Sequence, residues 1–150
     1  VKGFKEWFYR RYEPYLRYYT HQTGNWKDER LKKYKLKGKK VPQNHVLLTT
    51  HTHLAVLSII NDAEKFEKEL QIWDLYMKTM NKDGSLPFEA DRGAKALMYT
   101  GRTIMGLLKI AHMAEIQGVD LWSRKYKKDW QNLHHAINFF LDKLFHSYLT

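Results

Sequence analysis

Large apolar side chains recur along this chain at steps of three and four residues, and that spacing predicts helices. Over residues 2–20 the stripe is Phe4, Trp7, Phe8, Tyr12, Tyr15, Leu16 and Tyr19, interrupted by Pro14, where the helix kinks or restarts. Residues 21–43 are polar and basic and contain Gly24, Gly38 and Pro42, which predicts a long loop with a short helical turn around 27–34. From Asn44 to Ile60 the chain turns apolar at Val46, Leu47, Leu48, Leu54, Ala55, Leu57, Ile59 and Ile60. Its β-branched content allows a strand, but its length favours a buried helix. Asn61-Asp62 is placed to cap a helix over 63–80, which carries Phe66, Leu70, Trp73, Leu75, Met77 and Met80. A loop follows at 81–92, marked by Asp83-Gly84 and Pro87. Residues 94–117 return to helix with Gly118 as the stop, and a last helix covers roughly 127–148. No alternating strand pattern appears. The expected fold class is all-α, with helices joined as antiparallel hairpins.

With 150 residues, 43% of them apolar, the chain is expected to fold as one domain over 1–150. Cysteine is absent, which excludes a disulfide framework and Cys-based metal sites. No apolar run approaches the ~20 residues of a membrane span, so no membrane partner is expected. The chain begins at Val1 without a signal-peptide pattern and reads as a processed, trimmed or partial chain. Its net charge is +10, and residues 1–40 hold almost all of it, with 13 Lys and Arg against 4 Asp and Glu. Such a field concentrates polyanions, whether nucleic acid, acidic polysaccharide or anionic membrane.

Candidate chemistry lies in two short runs. One is Asp83-Gly84-Ser85-Leu86-Pro87, then Glu89, Arg92, Ala96-Leu97-Met98-Tyr99 and, after a helix, Gly118-Val119-Asp120-Leu121. The other is Asn44-His45 at the start of an earlier helix. In identity, order and spacing, residues 42–122 resemble the central motif of the mannuronate-type alginate lyases, which are built on an α/α toroid. The chain departs from that pattern at Gln43, Phe88 and Thr100, which bears on subsite contacts. The family toroid is larger than this chain. The resemblance therefore implies the C-terminal portion of an incomplete (α/α) toroid or barrel, its N-terminal half missing or its cleft completed in an oligomer.

The resemblance implies β-elimination on a 1,4-linked uronic acid polymer such as alginate or polymannuronate, with no cofactor and no metal. The C5 proton of a uronate is weakly acidic while the neighbouring carboxylate keeps its full charge. Groups that pair with that carboxylate stabilise the charge developing in the transition state. Asn44, His45 and Arg92 match the family's neutralising residues. Tyr99 matches its base and acid, with His45 able to serve as base for the other epimer. A free tyrosine holds its proton to about pH 10, so a cation beside it is what the chemistry requires, and Arg92 is the candidate. If the helix already runs from Arg92, the interval of seven puts Arg92 and Tyr99 on one face, about 10 Å apart along the axis. Periplasmic or secreted localisation follows from the same resemblance.

Each residue also has a plainer reading. Tyr99 fits the apolar stripe of its helix. Asn44 fits a helix N-cap. Arg92 fits a partner of Asp91 or Glu89, and Glu89 reads as structural, holding the loop or Arg92. His45, His51 and His53 are poorly spaced for a metal, and no H-E-x-x-H pattern accompanies them. Of the five tryptophans, Trp26 in the basic loop is the candidate for stacking on sugar. Two other functions compete with the lyase. One is a non-catalytic module that binds acidic polysaccharide. The less favoured is a nucleic-acid-binding helical protein using Lys32–Lys40, for which no zinc-finger, homeodomain or RNA-recognition signature is present.

Overall fold

The computed structural model describes residues 2–14 and 44–149, and every regular element among them is helical. The whole of the expected loop at 21–43, with Trp26 and Lys32–Lys40, and the far end of the 2–20 helix lie outside the described residues. Helix α1 spans Lys2–Trp7 and runs into a π-helical turn at Phe8–Tyr12. There the Glu13 N–H donates to the Phe8 carbonyl, five residues back, one residue before the proline that has no N–H to give.

Helix α2, Asn44–Ile59, and helix α3, Ala63–Thr79, form a hairpin. Asn61 makes the turn with φ 54°, and Asp62 caps α3 by accepting the Lys65 N–H at 3.1 Å. Within the segment expected to be a loop, Leu86-Pro87 starts one short helix, α4, Pro87–Ala90. Proline at N1 suits a helix start because its φ is preset and its missing N–H is not needed there. A 3₁₀ turn at Gly93–Lys95 then leads into the long helix α5, Ala96–Ile116. Helix α5 ends at Gly118, φ 76°, with the Val119 N–H returning to the Ala114 carbonyl at 2.8 Å. The last helix, α6, is Leu133–Leu149. It starts several residues later than the apolar pattern predicts because the Asn132 side chain caps it, accepting the His135 N–H at 3.0 Å.

Helix α5 is the centre of the packing and touches α2, α3, α4 and α6. Its buried face, Thr100, Thr103, Ile104, Leu107, Ile110, Ala111 and Ala114, repeats at helical steps. Against it pack Leu47, Leu54 and Leu57 of α2 and Leu70, Trp73, Tyr76 and Met77 of α3, in a single buried cluster. The approach of α2 to α5 depends on Gly106. A Cβ added there would stand 2.9 Å from the Leu47 Cβ, closer than two carbons can pack. Leu48 and Ile59 of α2 and Met98, Met105 and Ile116 of α5 are exposed, although the sequence spacing counts several of them with the buried stripe. This packing brings the N-terminus of α2 to α4 and the first half of α5.

Candidate active site

Glu89 sits in the middle of this junction with none of its surface exposed. Its Oε1 accepts two hydrogen bonds, one from the backbone N–H of Asn44 at 2.7 Å and one from the Thr103 hydroxyl at 3.2 Å. Its Oε2 lies 3.5 Å from Nε of Arg92. One carboxylate thus links the first residue of α2, the turn after α4 and the buried face of α5. The N–H of Asn44 is among those a helix start leaves without an intrahelical partner, and an anion is favoured there. Burial pushes the Glu89 carboxyl above its usual range, opposed by the Asn44 N–H, the Arg92 guanidinium and the Thr103 hydroxyl. The fully buried Tyr76 phenol from α3 completes the surroundings. Burial, reinforced by the Glu89 charge, holds its pKa well above the ordinary value, so it keeps its proton.

Arg92 follows α4 in a turn closed by its own N–H to the Glu89 carbonyl at 3.1 Å. Its Nε also donates to the Phe88 carbonyl at 3.4 Å, and its guanidinium carbon lies 4.8 Å from the centre of the Tyr99 ring. Arg102, one turn further along α5, lies 5.6 Å from the same ring. Tyr99 is half-buried between these cations and is not a core residue. The 3₁₀ turn at Gly93–Lys95 stands between Arg92 and α5, so the two residues do not lie on one straight helix.

Four predicted residues are thereby located. Asn44, Arg92 and Tyr99 belong to one connected cluster with Glu89 at its root. Asn44 is half-buried, and its Oδ1 is buried without a hydrogen-bond partner among the described residues. His45 is the next residue of α2 and is exposed. It shares the helix start with Asn44 and takes no part in the hydrogen bonds around Glu89. Trp26 lies outside the described residues. Sequence reading gave no role to Thr103 and Tyr76. Thr103 lies one helical turn after Tyr99, a spacing that signals a shared face; nothing in the sequence signals that Tyr76 stands beside Glu89.

The other histidines sit elsewhere. His53 is buried, with Nδ1 3.4 Å from Glu69 and Nε2 3.7 Å from Glu13. Lys65 reaches the same Glu13 oxygen at 3.2 Å, and Tyr9 donates its hydroxyl to Asp62. This knot fastens the α1 segment to the α2–α3 hairpin and shares no residue with the Glu89 cluster. Burial, aided by Lys109, lowers the pKa of His51. Among the described residues no group of three or more His, Cys, Asp and Glu side chains is arranged to hold a metal ion.

Fold and site together define an all-helical protein with an arginine stacked on a tyrosine and anchored by a buried carboxylate. A family model described as alginate lyase matches residues 1–144, and the chain belongs to that family. No curated protein and no solved structure matches it. The match extends on both sides of the 42–122 segment that carries the resemblance, so the helices flanking the motif belong to the family pattern as well.

Proposed function

We propose that this protein cleaves 1,4-linked uronic acid polymers, polymannuronate or alginate in the first instance, by metal-independent β-elimination. The observation that carries the reading is the Arg92–Tyr99 pair at 4.8 Å, held by Glu89 to the helix start that bears Asn44 and His45. Family membership supports the reaction class.

In this reading the uronate carboxylate enters between the start of α2 and the turn after α4. The Asn44 amide, the His45 imidazole and the Arg92 guanidinium hydrogen-bond to it and take up the charge that spreads into it as the C5–H bond breaks. Tyr99 removes the C5 proton as phenolate and, once protonated, delivers a proton to the departing O4. The C4–O4 bond breaks, a C4–C5 double bond forms, and no water is consumed. Two cations, Arg92 and Arg102, lie beside the Tyr99 ring, where the reacting uronate would sit. The positive N-terminal segment draws the polyanion in, and a periplasmic or secreted location gives access to it. Among the described residues no helix is long and apolar enough to cross a membrane. Part of an incomplete (α/α) toroid is the architecture this reading expects around the site.

The test is absorbance near ~235 nm, where a double bond conjugated to a carboxylate absorbs, on incubation with polymannuronate, polyguluronate and glucuronan. A rise with polymannuronate that persists in excess chelator is the expected result. Absence of any rise with all three polymers overturns the reading. Binding without unsaturated ends indicates a carbohydrate-binding module, and steeply salt-dependent binding to DNA or RNA alone indicates a nucleic-acid partner.

A further inference from the structure

Glu89 has no exposed surface, and burying a carboxylate costs free energy that a neutral group of the same shape would not. A glutamine in its place would still present an oxygen to the Asn44 N–H and the Thr103 hydroxyl. It would differ at the other atom, where an uncharged amide would replace the anion paired with the Arg92 guanidinium, whose Nε–H is given to the Phe88 carbonyl. Of the three neighbours that Glu89 contacts, only Arg92 therefore requires the charge. The Tyr76 phenol, which stays protonated, makes no hydrogen bond to Glu89.

We propose that Glu89 is a positioning residue for the elimination. It sets the Arg92 guanidinium against Tyr99 and at a fixed span from Asn44, so that the uronate carboxylate meets groups already in place. This rests on the lyase reading above. Preorganised donors spend no reorganisation energy at the moment of reaction, which is where such an anchor acts. The elevated pKa of Glu89 fits the same picture, because its charged form is held at a cost to the fold.

The experiment compares the parent chain with Glu89→Gln and Glu89→Asp in three measurements: melting temperature at pH 7, kcat and KM on polymannuronate, and the NMR signal of the Arg92 Nε–H. We expect Glu89→Gln to melt at or above the parent temperature while kcat falls roughly ten- to a hundredfold. The Arg92 signal should shift and exchange faster with water. Glu89→Asp, which keeps the charge one methylene short, should retain more activity than Glu89→Gln. Parental kcat in Glu89→Gln, or an unmoved Arg92 signal, overturns the proposal. A Glu89→Gln chain that is unfolded, or that loses stability and activity in parallel, overturns it as well by assigning Glu89 to the fold alone. A parent chain inactive on every uronan sinks the lyase reading. The Arg92 signal, which needs no turnover, then decides whether Glu89 orients the guanidinium.

Discussion

The guanidinium of Arg92 lies 4.8 Å from the centre of the Tyr99 ring, while its Nε faces the buried Oε2 of Glu89 at 3.5 Å. The arginine is held from two sides, by a carboxylate beneath it and an aromatic face beside it. A planar, permanently charged group can satisfy both contacts at once, which a lysine ammonium cannot.

Tyr99→Phe keeps the ring and its stacking on Arg92 and removes only the hydroxyl. The variant should fold as the parent does, with an unchanged circular dichroism spectrum. Its rate of forming unsaturated ends should fall by roughly 10²-fold or more, the usual worth of a proton-transfer group. Full activity in this variant removes Tyr99 from the chemistry.

Arg92→Lys preserves charge but loses the stack and the fork. It should lower kcat/KM on polymannuronate by at least about tenfold, with most of the loss in kcat, since the interaction is made chiefly in the transition state. A loss confined to KM would mean that Arg92 only binds the polymer.

Gly106→Ala tests the packing on which the site rests. The new Cβ meets the Leu47 Cβ at 2.9 Å, and a Cβ cannot swing away as a side-chain tip can. Forcing α2 from α5 should cost about 1–3 kcal/mol in urea unfolding. Because α2 carries Asn44 and His45, activity should decline beyond what the lost folded fraction explains.

Stability should fall in acid partly through Asp62. The Tyr9 hydroxyl, then the Lys65 N–H and the nearby lysines, hold its carboxyl below the usual range against the opposing effect of burial. Its ionised form therefore favours the fold. That contribution is complete above the unfolded value of about 4 and is lost as the pH drops through the lower folded value. Tyr9→Phe should reduce stability at pH 7 and leave a shallower decline between about pH 5 and about pH 2 in denaturation series. Parallel curves for the two chains would remove Asp62 as the source.

Much of the fold is legible in the sequence because it is written locally. The apolar steps of α2, α3 and α5 appear within a few residues of each other, Asp62 marks a start, and Gly118 marks a stop. The apolar pattern misplaces a boundary where a single helix-starting or capping residue decides it. Pro87 starts a short helix inside a segment rich in turn signals, and Asn132 delays α6 beyond the start that its apolar pattern suggests.

For the site, the sequence by itself determined which residue types stand at which intervals: Asn44-His45, Glu89, Arg92 and Tyr99, in an order that resembles the lyase family. It could not determine that the Glu89 carboxylate turns inward to a backbone N–H 45 positions away, nor that Tyr76 and Thr103 enclose it. Nor could it show that Gly106 lets α2 approach α5 closely enough for that bond to form. Helical periodicity and capping are properties of neighbouring residues. The span between Asn44 and Arg92 is a property of three helices packed at one distance, and that distance exists only in the folded chain.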